Sequence, residues 1–270
     1  MSFCPFCHES AASLQRWAGL ICRNGATDNI EGMGTKKRTK TGTLLSDRIL
    51  QFYKTLSPGF LMPDGISVMH PYQESEVWEV VASFYKKYYS DHQRRLVLFG
   101  INPGRFGAGV TGVPFTDPIR LEKECGIPNR FDKRFELSSE FIYEVINAWG
   151  GARAFYRHFF VSALSPLGFI RDGKNLNYYD DKVLQQSATP FILQCIRQQK
   201  EIFGFPETAF CLGEGTNYRY FCRINDQYGL FKDIIPLPHP RWVMQYRRRR
   251  KEEFIRMYVA KLGEAIDLIK

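Results

Sequence analysis

The chain of 270 residues contains no run of about 18 apolar residues, the length that a membrane-crossing helix needs. Its first residues, Met1-Ser2-Phe3-Cys4-Pro5, lack the charged head and apolar stretch of a secretory signal. Together these absences predict a cytoplasmic protein with no membrane partner. Acidic residues are in deficit, 28 Asp+Glu against 37 Lys+Arg, which leaves a formal net charge of +9. That balance disfavours a cationic partner and favours an anionic one, either nucleic acid or an acidic surface. Cysteine is scarce at seven residues, and a reducing compartment does not maintain a disulfide framework, so free thiols are expected. Cys125, Cys195, Cys211 and Cys222 lie singly in apolar or mixed segments and read as core residues. Cys4 and Cys7 form a CxxC, and Cys22 and His8 complete a possible zinc-ligand set. The second cysteine pair of a zinc module is missing, so no tightly bound metal is expected. The sequence shows no internal repeat.

What is present is organised around alternation. Residues 1–41 are rich in Gly, Thr, Ser and Lys, lack sustained periodicity, and read as a flexible extension ahead of a domain over 42–270. Apolar residues then recur at helical spacing from Leu44 to Leu56, where Ser57-Pro58-Gly59 stops them, and again over about 74–89. Four short apolar runs follow, Leu96–Phe99, Phe159–Val161, Thr208–Leu212 and Ile234–Leu237, and they suit buried parallel strands. Helical patterns near 138–157, 180–203 and 215–228 separate them, and another follows Arg249. The order predicts an α/β fold, a three-layer α/β/α sandwich around a central, mainly parallel four-stranded sheet. The chemistry of such sheets sits at the strand carboxyl ends, so the loops after the first, second and fourth strands are where a site is sought.

The first of these loops runs Gly100-Ile101-Asn102-Pro103-Gly104-Arg105-Phe106-Gly107-Ala108-Gly109-Val110-Thr111-Gly112-Val113-Pro114-Phe115. Five glycines and two prolines in sixteen residues make a rigid loop whose backbone approaches a neighbour closely, either as a plain tight connection or around a ligand. After the fourth strand comes Pro238-His239-Pro240-Arg241-Trp242. The histidine there, between two prolines, is either a structural residue or a restrained proton donor. Arg247-Arg248-Arg249-Arg250-Lys251 is either a solvated helix face or, given Trp242 and Tyr246 interleaved nearby, a phosphate-contacting segment; the second reading is preferred.

The first loop resembles the opening motif of the single-strand-selective monofunctional uracil-DNA glycosylases, approximately G-M-N-P-G-P-F-G-M-x-Q-T-G-V-P-F. Asn-Pro-Gly, Phe-Gly and Thr-Gly-Val-Pro-Phe fall in register without a gap. Pro238-His239-Pro240-Arg241 resembles a shortened form of the family's H-P-S-P-R, two residues missing between proline and arginine. The resemblance implies that Asn102 positions the hydrolytic water, that Phe115 stacks on the flipped base, and that His239 faces the departing base. It further implies a substrate pocket formed by Gly100, Ile101, Pro103, Gly104, Phe106, Gly112, Phe115 and Ala163. Arg241 and Trp242, with Arg247, Arg248, Arg249 and Arg250, are expected to contact DNA. After the second strand the family resembles N-x-C-P-L and then R-N-L-T-P. Pro166-Leu167 and Asn175-Leu176 match, but the base-reading asparagine falls on Ala163, which has no polar group; Ser162 or Ser165 are the nearest substitutes.

The implied activity is a monofunctional DNA glycosylase that removes uracil or a related deaminated base without cofactor or metal, acting as a monomer on DNA. Two alternatives stand beside it. One is a glycosylase mainly for xanthine or hypoxanthine, motivated by Ala163. The other is a non-catalytic nucleic-acid-binding module, against which the retention of both Asn102 and His239 argues.

Overall fold

The computed structural model describes residues 42–269. The expectations for residues 1–41, including Cys4, Cys7, His8 and Cys22, lie outside them. The chain enters through α1 (Leu45–Lys54), whose Leu45, Ile49, Phe52 and Tyr53 point inward at helical spacing, then β1 (Ile66–Met69) and α2 (Ser75–Tyr89). Next come β2 (Leu96–Gly100), the short helices α3 (Ala108–Thr111) and α4 (Pro118–Lys123), α5 (Leu137–Ala148), α6 (Ala152–His158) and β3 (Phe159–Ala163). The remainder is β4 (Gly168–Arg171), β5 (Lys174–Leu176), α7 (Lys182–Phe203), β6 (Thr208–Leu212), α8 (Thr216–Tyr228), β7 (Asp233–Leu237), α9 (Pro240–Tyr246) and α10 (Lys251–Ala265).

The four strands predicted from apolar runs pair as one parallel sheet in the order β3-β2-β6-β7. Helices flank it in the α/β/α sandwich that the alternation required. β2, β3 and β6 are buried along their whole length, which is why they read as continuous apolar runs rather than as alternations. Capping fixes the helix ends: Asp117 accepts from the Arg120 N–H and Asp181 from the Leu184 N–H, while Gly204 and Gly229 close α7 and α8 in the left-handed conformation. Cys125, Cys195 and Cys211 are free and buried, and Cys222 is free and half-buried. Among the described residues no helix is long and apolar enough to cross a membrane.

Two features differ from the sequence expectation. The helix expected near 138–157 is two helices, broken at Gly150 and Gly151, whose φ values of 111° and 91° no helix accommodates. A second, antiparallel sheet of order β1-β4-β5 is also present. Its hairpin turns at Asp172-Gly173, both at positive φ (51° and 67°) as a two-residue turn of this hand requires.

The register settles where the loops leave the main sheet. Gly100 and Ala163 are partners at the ends of β2 and β3, and Leu212 pairs with Leu237 at the ends of β6 and β7. All four carboxyl ends therefore share one edge, and the Gly-rich loop, Ala163 and the His239 turn depart from it together.

Candidate active site

A cavity of about 320 Å³ opens at that edge, within the range of sites that enclose a small planar ligand. Ile101, Asn102, Pro103, Gly104, Phe115, Ala163, His239, Arg241 and Trp242 all line it. Residues from three loops that are far apart in sequence thus converge on one volume.

Phe115 is held by its backbone and by what lies under its ring. A Cβ placed on Gly100 would sit 2.6 Å from Phe115 Cε2, so the ring packs directly on the glycine backbone. The residue itself has φ 54°, a left-handed conformation uncommon outside glycine and concentrated at functional sites. The turn around it is tied by the buried Thr111 hydroxyl, which donates to the Thr116 carbonyl at 2.7 Å. His239 faces the same ring, with centroids 6.3 Å apart.

Asn102 has an amide that is held at both ends. Its Nδ2 donates to the Leu176 and Pro103 carbonyls, each at 3.3 Å, and its Oδ1 accepts from the Tyr178 N–H at 3.1 Å. The group is oriented by backbone on either side of Asn177, while its carbonyl oxygen keeps a second lone pair for a water.

The protonation of His239 follows from its position. It is the N-cap of α9, and its Nδ1 accepts from the Arg241 N–H at 3.2 Å. An accepting Nδ1 carries no proton, so the neutral ring bears its hydrogen on Nε2. Burial, with the Arg241 charge as a second cause, brings its pKa down from 6.5 to about 4. The ring is therefore a neutral, directionally fixed donor at physiological pH. Gly213, at φ 132°, packs beneath it, with a hypothetical Cβ 3.7 Å from His239 Cδ2, and its N–H donates to the Leu237 carbonyl at 2.7 Å. This gives the Gly213-Glu214-Gly215 turn a supporting role.

Three of the expected pocket residues do not line the cavity. Gly100 lies beneath Phe115. Gly112 sits at φ 69° against Val81 and Val77, where it serves the turn. Phe106 lies between two guanidinium groups, those of Arg105 at 4.6 Å and Arg134 at 5.3 Å. Ser162 and Ser165 are fully buried and donate to Gln199 Oε1 (2.6 Å) and the Leu167 carbonyl (2.7 Å), so neither hydroxyl is open to a base.

Beyond the rim, the expected DNA-contacting run is not uniform. Arg247 stacks on Trp242 at 5.0 Å. Arg248 lies 3.5 Å from Glu140, while Arg250 and Lys251 pair with Glu253 and Glu144, each at 2.7 Å. Arg249 has no ion-pair partner among the described residues.

The cavity also takes residues that sequence patterns did not single out. Tyr53 and Tyr72 come from α1 and the turn before α2, where their spacing reads only as core. Glu136 caps α5 through the Ser138 and Ser139 N–H groups, and burial raises its carboxyl pKa. Asn177 and Tyr179 follow β5, downstream of a hairpin whose one signal was Asp172-Gly173.

The Uracil DNA glycosylase superfamily matches this chain over residues 86–263. Among solved structures, the chain is similar to that of wild-type SMUG2 from Pedobacter heparinus. The two share 44% sequence identity over 84% of this chain and 100% of that one, with a TM-score of 0.80. No match is found among curated proteins.

Proposed function

The chain belongs to the uracil-DNA glycosylase superfamily and is a DNA glycosylase, and from that premise we propose that it excises uracil and related deaminated bases by a monofunctional mechanism, leaving an abasic site. The observation that carries this reading is the convergence of His239, whose Nδ1 accepts from the Arg241 N–H, with Asn102 and Phe115 on one cavity.

A stacked base hides its glycosidic bond from such a cavity, so the nucleotide enters extruded from the strand. The Phe115 face stacks on the base, an interaction of about 1–3 kcal/mol that any planar base obtains. A water held at Asn102 Oδ1 attacks the anomeric carbon. The bond between that carbon and the base nitrogen breaks, its electron pair leaves with the base, and the water's proton passes to solvent. Negative charge then gathers on the departing base, and the His239 Nε2–H donates to the acceptor beside the broken bond, O2 of uracil or the ring nitrogen N3 of a purine. One such preorganised donor is worth roughly 2.7–4 kcal/mol of barrier. Among the described residues no lysine lines the cavity, which supports direct hydrolysis over a Schiff base.

Base preference rests on the cavity floor. Ala163 is buried there with only a methyl group, which leaves room beside a pyrimidine and supports acceptance of xanthine and hypoxanthine as well as uracil. The test is a panel of single- and double-stranded oligonucleotides carrying each deaminated base, read by alkaline cleavage at abasic sites. Cleavage at uracil, with lesser cleavage at the purine lesions, is expected. No abasic site on any member of the panel would return the chain to a binding role.

A further inference from the structure

Asn177 is fixed along its backbone and free at its side chain. It is half-buried and lines the cavity together with Asn102. Its N–H donates to Asp180 Oδ2 at 2.8 Å and its carbonyl accepts from the Asp180 N–H at 3.0 Å, a turn that pins the main chain at this residue. Its side-chain amide has no hydrogen-bond partner among the described residues. The position of that amide follows from the clamp on Asn102. The Leu176 carbonyl and the Tyr178 N–H that hold Asn102, at 3.3 and 3.1 Å, belong to the two peptide units on either side of the Asn177 Cα. The Asn177 side chain therefore leaves the chain beside the Asn102 amide, and both reach the same cavity.

A water that attacks the anomeric carbon turns a lone pair toward it, so its two hydrogens need acceptors, and a donor against its oxygen would compete with the attack. Asn102 Oδ1 supplies one acceptor. The Leu176 and Pro103 carbonyls already receive Asn102 Nδ2. The other polar groups on the cavity are placed differently. The Glu136 carboxylate takes the Ser138 and Ser139 N–H groups and the Ser138 hydroxyl, and Asn175 Oδ1 takes the Arg105 N–H at 3.0 Å. The Tyr179 phenol, pushed up to about 12 by burial and by Asp180, keeps its proton and adds a donor. Gln245 is exposed at the rim, on α9. Asn177 joins an open carbonyl oxygen to a place beside Asn102.

Resting on the glycosylase reading above, we propose that Asn177 is the second acceptor for the hydrolytic water, its Oδ1 taking one O–H while Asn102 Oδ1 takes the other. The water oxygen bonds to the anomeric carbon, the bond to the base breaks, and its electron pair leaves with the base. Neither amide is a base, so the released proton passes to solvent.

The experiment measures single-turnover excision of uracil from about pH 8 to 4.5 by the wild-type protein, Asn177→Ala, Asn177→Asp, Asn102→Ala and the double variant Asn102→Ala/Asn177→Ala, with thermal melting of each. Asn177→Ala is expected to lower the rate about tenfold. Two acceptors on one water act as a unit, so the double variant should be little slower than Asn102→Ala alone. Asn177→Asp should recover most of the rate at pH 8 and lose it as the new carboxyl, lifted above its ordinary value of about 4 by half-burial, takes a proton and ceases to accept. Asp180 at the turn and Glu136, His239 and Arg241 on the cavity are the same in both proteins, so an acid limb absent from the wild type belongs to residue 177. A residue that only shaped the turn would produce no such limb, and one that read the base would give losses that multiply with those of Asn102→Ala. Asn177→Ala at the wild-type rate, multiplying losses, or a folded Asn177→Asp with the wild-type profile would each overturn the proposal. Should Asn177→Ala fail to fold, the Asn177→Asp profile decides alone. A wild-type protein that makes no abasic site would overturn the glycosylase reading itself, whereas an active enzyme indifferent to residue 177 removes only the second acceptor.

Discussion

The wall made by Asn102, Phe115 and His239, the last of these the N-cap of α9, and the basic segment Arg247–Lys251 that follows α9 are built on opposite terms. In the wall, each functional group is held by backbone: Asn102 by Leu176 and Tyr178, His239 by the Arg241 N–H, and Phe115 by its φ and the Gly100 surface beneath it. In the segment, Arg247 rests on the Trp242 ring, Arg248, Arg250 and Lys251 stand beside carboxylates, and Arg249 has no ion-pair partner among the described residues. A preorganised group acts through its position, so its loss appears in the chemical step. A solvated cation acts through its charge, so its loss appears in binding and in the dependence on salt.

The wall residues should show the largest losses. Asn102→Ala and His239→Ala should each lower the single-turnover excision rate on the order of a hundredfold or more while leaving the affinity for DNA nearly unchanged. If either variant excised at the wild-type rate, that residue would lose its role. If affinity alone fell, that residue would act in binding rather than in the chemical step.

A smaller effect is expected at Gly100, which touches no substrate. Its Cβ in Gly100→Ala would fall 2.6 and 2.8 Å from two atoms of the Phe115 ring, and the ring has to move. Misplacing a positioning group by about an ångström costs up to about a hundredfold, so a loss between tenfold and hundredfold is expected. Excision unchanged in a folded Gly100→Ala protein would mean that the Phe115 position is not critical.

The pH profile sharpens the same contrast. With its pKa brought down to about 4 by burial and by Arg241, His239 stays neutral from pH 8 to pH 5, and the single-turnover rate should show no inflection from it there. Below about 4 a proton arrives on Nδ1, the bond from the Arg241 N–H is lost, and the rate falls. The stability effect has the same sign. Between 6.5 and about 4 the unfolded chain binds this proton more tightly than the folded one, so His239 withdraws stability as pH drops through that window. An inflection near pH 6.5 that disappears in His239→Ala would contradict a half-buried ring held neutral.

How far the sequence reveals each feature follows the same division. The strands of the main sheet are legible because a buried parallel strand is apolar on both faces, and the Gly-rich loop because its glycines and prolines answer to close backbone approach. β1, β4 and β5 are three or four residues long and only partly buried, too short for either periodicity to develop. Their trace was the dipeptide Asp172-Gly173. Tyr53 and Tyr72 were hidden for a different reason: along the chain an inward tyrosine at helical spacing is a core residue, and only the convergence of α1, the turn before α2 and the end of β3 makes it part of a cavity floor. Glu136 was missed as a helix cap because glutamate is not among the residues that usually occupy that position.

The smallest expected effect divides the basic segment within itself. A cation that neutralises a phosphate releases a counterion, and each such contact adds about 0.9 to the slope of log affinity against log salt on duplex DNA, or about 0.7 on single strands. Arg250 is already neutralised by Glu253, and Arg248 and Lys251 stand next to Glu140 and Glu144. An exposed ion pair is worth only about 0–1 kcal/mol, so DNA can displace it, but the carboxylate left behind repels the phosphate and the net charge brought to the strand is close to nil. Arg249 carries no such partner among the described residues, and Arg247 meets the face of Trp242 and the neutral Tyr246 carbonyl rather than a carboxylate, so it retains its attraction for phosphate. Arg249→Ala should therefore flatten the salt slope by close to one phosphate contact, Arg247→Ala by somewhat less, and Arg250→Ala by little, with affinity for all sequences shifting together. Measuring binding to an abasic oligonucleotide across a salt series separates the variants without involving catalysis. Equal slopes lost in Arg249→Ala and Arg250→Ala would show that the carboxylate pairs dissolve on binding, and the segment would then act as a uniform strip of charge.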